Sequence, residues 1–144
     1  MMSQKVGLVG LLKTKLKAGR FAEVQRTMLQ LWCITTNFSR IKGGRILVAW
    51  LQDFFEVDVV CTENQFIHMK VLNKAVNQMF EMTVVYGSND SKERIKLWQG
   101  LKQIGRDCKG PWLITCDFNA PLCYEDRIGR AISHTEIKDF EDCV

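Results

Sequence analysis

The apolar positions of this chain change period several times, and each change marks an element. Residues 6–12 form a short apolar run that ends in charge, which predicts a buried strand. After Gly19, the residues Phe21, Val24, Met28 and Leu31 recur at helical spacing. Residues 32–36 are aromatic and β-branched, so a strand is expected there. Lys42, Gly43 and Gly44 read as a turn. Residues 45–51 follow as a strand apolar on both faces, and residues 57–61 as a further short strand.

Residues 66–72 alternate, with Ile67, Met69 and Val71 on one face and Phe66, His68 and Lys70 on the other. His68 is thereby expected at a strand surface. The polar stretch 73–78 predicts a hairpin connection, and residues 79–86 the returning strand. Asp90 and Glu93 have capping-box spacing ahead of a helix whose stripe is Ile95, Trp98, Leu101 and Ile104. Gly110 and Pro111 close that connection, and residues 112–115 form a last strand. Ser133 and Glu136 repeat the capping spacing before Ile137, Phe140 and Val144, and place His134 in a helix N-terminal turn.

The resulting order is β-α-β-β-β-β-β-α-β-α. Hairpin-linked strands in the middle argue against a doubly wound parallel sheet and for a mixed two-sheet sandwich with outer helices. No glycine-rich phosphate loop interrupts the series. The expected core is residues 6–12 and 45–51, Ile67, Met69, Val71, Val84, Val85, Leu113 and Ile114, with Trp98 and Leu101 packing from a helix.

Composition changes this picture little. With 144 residues, 47% of them hydrophobic and 25% charged, the chain is long enough for one domain with its own core and too apolar to be disordered. The charge is unevenly placed. Residues 1–45 hold nine basic residues against one acid, 9 − 1 = +8, and residues 46–144 eleven against fifteen, 11 − 15 = −4. Basic segment 5–45 can therefore meet the phosphates of DNA, or simply be a solvated face. The six cysteines are scattered without a C-x-x-C pair, which disfavours a structural zinc site and suits a reduced, intracellular setting, nuclear or cytoplasmic. The run 6–12 is too short to span a membrane, and Lys13, Lys15 and Lys17 follow it where a signal peptide would have its cleavage site.

Candidate chemistry gathers at two strand ends. The segment WLITCDFN delivers Asp117 and Asn119 together, and alternation would put both side chains on one side. A carboxylate there can orient a water or bind a hard cation, and an amide can hold a phosphate oxygen. The same pair equally suits an Asx-type turn. The segment VVYGSND ends a second apolar strand with Tyr86 and Asn89, which can contact a phosphodiester or simply close a strand and cap a helix.

The ordered series GLVGLLKTKLK, GGRILVAW, QFIHMKV, VVYGSND, LWQGL, GPWLITCDFN and EDRIG resembles the endonuclease domains of plant LINE retrotransposons, in the DNase I-like endonuclease/exonuclease/phosphatase superfamily. The resemblance implies a four-layered α/β/β/α sandwich and magnesium-dependent phosphodiester hydrolysis where loops of two sheets meet. It implies that residues 1–144 are one partial domain, lacking the family's N-terminal and C-terminal strands. By residue type it assigns Asp117 to water activation, Asn119 to holding the phosphate, Tyr86 to contacting the scissile phosphate, and Asn89 to the polar position after it.

The departures are as specific. The family's first Leu-Glu-Thr, whose glutamate binds the metal, is here Leu12, Lys13 and Thr14. A lysine has no lone pair to give magnesium and repels it. The glycine before Asp-Phe-Asn is Cys116, and the strands bearing the family's catalytic asparagine and Ser-Asp-His motif would lie outside the chain. His68 and His134 do not match that histidine. The expectation is a chain with little or no cleavage activity and weak or no magnesium binding, able at most to bind nucleic acid, with open sheet edges that favour self-association.

Overall fold

The computed structural model describes residues 6–27, 30–42, 45–120 and 134–143. Its elements are β1 (Leu8–Leu12), α1 (Ala18–Thr27), β2 (Trp32–Thr36), β3 (Ile46–Leu51), β4 (Phe55–Thr62), β5 (Phe66–Asn73), β6 (Gln78–Tyr86), α2 (Ser91–Asp107), β7 (Trp112–Asp117) and α3 (His134–Cys143). This is the order that the hydrophobic pattern predicts. Lys5, Met28, Gly43, Gly44, Cys123, the EDRIG motif, Ser133 and Val144 lie outside the described residues, as do the side chains of His134, Glu136 and Ile137.

Three strands form an antiparallel sheet in the order β1-β3-β2, and four form a second in the order β4-β5-β6-β7. Within the second sheet only β6 and β7 run parallel, joined by the 17 residues of α2, because parallel neighbours need a crossover rather than a hairpin. The predicted hairpin joins β5 to β6, with Asn73 opposite Gln78 and Asn77 at φ 50° in its turn.

The two sheets face one another across Ile46, Val48 and Trp50 from β3, Ile67, Met69 and Val71 from β5, and Met82, Val84 and Tyr86 from β6. On the outer face of the larger sheet, Phe66 and Val85 pack against Leu97, Trp98 and Leu101 of α2, with Phe140 of α3 at the margin. Each fully buried apolar side chain of this kind contributes roughly 1.5–3 kcal/mol. The α/β two-sheet sandwich is thus the architecture expected.

Four local expectations fail, each because of a tertiary partner. His68 is not at a surface: it is 4% exposed, since the outer face of β5 lies under α2 and beside Trp112. On α2 the buried stripe is Arg94, Leu97, Trp98 and Leu101, and Ile95 is exposed. Leu11 and Leu113 are exposed, because β1 and β7 are edge strands covered on one side only, while the exposed Val6 precedes β1 and Leu31 lies in an exposed turn. The α2 cap is one-sided: Asp90 accepts from the Lys92 N–H, while Glu93 turns to Lys96 rather than back to the cap.

One polar residue ties the sheets together at the end where the site will be found. Asn37, fully buried after β2, accepts the Ile46 N–H at 2.9 Å and donates to the carbonyls of Glu63 (3.2 Å) and Asn64 (2.8 Å) between β4 and β5.

Candidate functional site

The parallel register of β6 and β7 places Tyr86 directly opposite Asp117. Both side chains project from the inner face, the side on which Met82 and Val84 meet the other sheet. Beyond the pair, the Gly87 N–H donates to the Asp117 carbonyl at 2.8 Å. A Cβ on Gly87 would lie 2.1 Å from the carbonyl oxygen of Phe118, so only glycine lets the two strand ends approach this closely.

Asn119 follows at φ 50°, a left-handed conformation that asparagine tolerates better than most residues. Its N–H donates to Asp117 Oδ1 at 3.1 Å, so the pair forms an Asx turn rather than continuing the strand's alternation. Its side-chain Nδ2 donates to the Gly87 carbonyl at 2.6 Å. That amide therefore stitches the two strand ends together.

The loops behind these residues are held from within. Arg94, 2% exposed, donates through Nη1 to the carbonyls of Ser88 (2.8 Å), Asn89 (3.2 Å) and Asn119 (3.0 Å). Gln65 accepts the Ser88 N–H at 2.7 Å. Asn89 is exposed and joins the cluster through its main chain.

From the opposite sheet comes Lys13, just past the end of β1 and itself at φ 56°. Its ammonium lies 3.6 Å from Asp117 Oδ2 and 5.7 Å from the centre of the Tyr86 ring. The Arg45 guanidinium, at the start of β3, lies 5.4 Å from the same ring. Two cations thus flank one buried tyrosine. The Lys13–Asp117 pair is solvent-accessible, so its worth to stability is only about 0–1 kcal/mol. Cys116, next to Asp117, has its thiol pushed above the usual range by burial and then by the Asp117 charge.

Of the residues singled out in the sequence, Lys13, Tyr86, Asp117 and Asn119 come together, and Asn89 is tied to Asn119 through Arg94. Arg45, Gly87 and Arg94 were missed. An arginine on the helical spacing 94, 97, 98, 101 was the one available signal. The side chains of Lys15, Lys17, Arg20, Arg26, Arg40 and Lys42 are exposed, as is that of Lys13 in its pair with Asp117.

The described residues around Asp117 do not suit a magnesium ion. Asp117 supplies one carboxylate, and the neighbouring position is an ammonium that cannot ligate. Among the described residues, no three His, Cys, Asp or Glu side chains converge on a possible metal position. No helix among them is long and apolar enough to cross a membrane.

Comparison with solved structures places this architecture. The chain superposes on an endonuclease/exonuclease/phosphatase from Bacteroides vulgatus with a TM-score of 0.61 at 14% identity, covering 81% of this chain and 53% of that one. The human Nocturnin catalytic domain with bound sulfate gives 0.56 at 16%, covering 81% and 52%. D. rerio TDP2 complexed with a single-strand DNA product gives 0.56 at 13%, covering 80% and 48%. The chain has the DNase I-like endonuclease/exonuclease/phosphatase fold. This DNase I-like chain spans about half the length of the structures it matches. No family model and no curated protein matches its sequence.

Proposed function

We propose that this chain derives from a LINE-type, magnesium-dependent phosphodiester-cleaving endonuclease, and that its loop end now holds nucleic-acid phosphate without cleaving it. The observation that carries this reading is the 3.6 Å approach of the Lys13 ammonium to Asp117. A cation fixed in the protein stands where the resemblance calls for a metal-binding glutamate. It neutralises the carboxylate that would activate water, and Arg45 on the other side of Tyr86 leaves this corner with a net positive charge. The solved TDP2 complex with a DNA product supports a nucleic-acid ligand for this fold.

Cleavage loses its driving terms in such a site, because neither Lewis-acid polarisation nor an activated water is supplied. Binding keeps its own, since phosphate contacts need only cations in register. The reading of a retroelement-derived product with no retained role differs in one respect: it has no salt-dependent affinity for DNA.

The test is fluorescence anisotropy of labelled DNA across a salt series, beside a plasmid-nicking assay with magnesium. Binding whose affinity falls steeply with salt, and falls further in Lys13→Ala and Arg45→Ala, is the expected result. Nicking by the pure protein that disappears in Asp117→Ala would overturn the non-cleaving assignment. Affinity that ignores both salt and these substitutions would remove the binding role.

Self-association through β1 belongs to the same reading. Its five residues, Leu8 to Leu12, carry no charge, and one edge is unpaired within the described sheet. By contrast the β4 edge carries Glu56 and Asp58 and a register shift between Val59 and Cys61, devices that discourage pairing. Sedimentation checks this: concentration-dependent association is expected, and Leu11→Lys is expected to suppress it.

A further inference from the structure

A cavity of about 510 Å³ opens between α2 and the outer face of the four-stranded sheet, on the opposite face of β6 from Tyr86. That volume lies within the roughly 300–1,000 Å³ typical of small-molecule sites. Its apolar lining comes from Phe66, Leu97 and Ile104. Gly100 shapes it as well: a Cβ there would meet the Phe66 ring at 2.7 Å, so the missing side chain lets α2 settle against that ring.

The polar lining is unbalanced. Carboxylates come from Glu63, Glu81, Glu93 and Asp107, ammoniums from Lys70 and Lys96, which makes 2 − 4 = −2. Glu93 and Lys96 pair with each other at 3.4 Å.

One of these carboxylates is held by a buried relay. The Trp112 indole N–H donates to Thr83 Oγ1 at 2.8 Å. An indole nitrogen is only a donor, so it takes a lone pair of that hydroxyl and leaves the hydroxyl proton to point elsewhere. His68 Nδ1 lies 2.8 Å from Thr83 Oγ1, and His68 Nε2 lies 2.9 Å from Glu81 Oε2. With a neutral imidazole the relay runs from Trp112 to Thr83, from Thr83 to Nδ1, and from the Nε2–H to Glu81. Thr83 and His68 are 0% and 4% exposed, and both His68 and Glu81 line the cavity. The Glu81 carboxylate is therefore oriented in advance by a nearly buried imidazole. An oriented carboxylate above an apolar floor recognises an ammonium attached to an apolar body, because a charge-assisted hydrogen bond to a carboxylate already in place offsets part of the cation's dehydration.

We infer that this cavity is a binding site for a small amphipathic amine, with Glu81 receiving the ammonium and Phe66, Leu97 and Ile104 receiving the apolar part. The site is separate from the loop end around Lys13 and stands whether or not that end binds nucleic acid.

Tryptamine serves as the probe, with indole-3-propionate as its anionic counterpart, both titrated by calorimetry against the full chain. Saturable tryptamine binding is expected, with no binding of the acid. Glu81→Gln is expected to weaken tryptamine by about tenfold or more, the loss of one charge-assisted hydrogen bond. Ile104→Trp, which fills the cavity from the helix side, is expected to abolish it. In the wild type, the His68 imidazole resonances are expected to shift with tryptamine, a readout that does not depend on any variant folding. Equal binding of amine and acid, affinity unchanged in Glu81→Gln, or no saturation together with unmoved His68 resonances would each overturn the inference.

Discussion

The buried guanidinium of Arg94 reaches from the first turn of α2 to the main-chain carbonyl of Asn119, 3.0 Å away, while also holding Ser88 and Asn89. One side chain thus joins both loops of the candidate site. Arg94→Met is expected to leave three carbonyls without this donor and to destabilise the fold by about 3 kcal/mol. Arg94→Lys keeps charge and donors on a shorter, differently shaped head, so only part of the loss should return. Urea denaturation of the three proteins measures this. A Met variant as stable as wild type would remove Arg94 from its role as the common anchor.

Lys13→Glu reverses the charge beside Asp117 by two units. Magnesium and manganese affinity is expected to rise roughly three- to tenfold, as befits accessible charges. Plasmid nicking is expected to stay at background, because members of one catalytic unit are strongly non-additive and one restored carboxylate returns little alone. Calorimetry and the nicking assay read the two claims separately. Unchanged metal affinity would contradict the placement of Lys13 at the metal position, and robust nicking would show that Lys13 alone silences the site.

Gly87→Ala is expected to cost about 2–4 kcal/mol, since the new methyl group meets backbone rather than a yielding side chain. Gly19→Ala is the matched control. It lies within α1 with nothing near its Cβ direction, and should stabilise by about 0.5–1 kcal/mol through helix propensity. Thermal melts of the pair are expected to move in opposite directions.

Cys116 gives a chemical reporter of the same corner. Its thiol is pushed above the usual range by partial desolvation and then by Asp117, although the residue's surface is exposed. A raised value means less thiolate at a given pH, hence slow alkylation at neutral pH and a rate that climbs in more alkaline buffer. Asp117→Asn removes the repelling charge, lowers the thiol's value and is expected to speed iodoacetamide labelling roughly two- to threefold at fixed pH. Peptide-level mass spectrometry reports the rate. A slower rate in the Asn variant would mean that Asp117 does not act on this thiol electrostatically.

The hydrophobic pattern carried the element order and most of the inter-sheet core, because alternation and helical spacing are imposed by burial itself. It failed where a residue's place is set by a distant partner. The stripe read through Ile95 missed the slight turn of α2 that brings Arg94 inside, since the carbonyls it satisfies come from two other loops. His68 looked like a surface residue because nothing local announces Thr83, Glu81 and Trp112 around it. Asn37 carried no sequence signal at all. The strand-end residues Lys13, Tyr86, Asp117 and Asn119 were legible through ordered motifs, but not the Asx turn that removes Asn119 from the strand.

The opposition of Tyr86 and Asp117 is a matter of parity. Side chains alternate along a strand, so a slip of β7 by one residue would turn Asp117 outward under the helices. Cys116 or Phe118 would then stand opposite Tyr86, and Lys13 would face sulfur or an aromatic ring instead of a carboxylate. The charge at this end of the sandwich is thus encoded as an odd or even count along β7. A single inserted or deleted residue within that strand would erase it even if every functional side chain were kept.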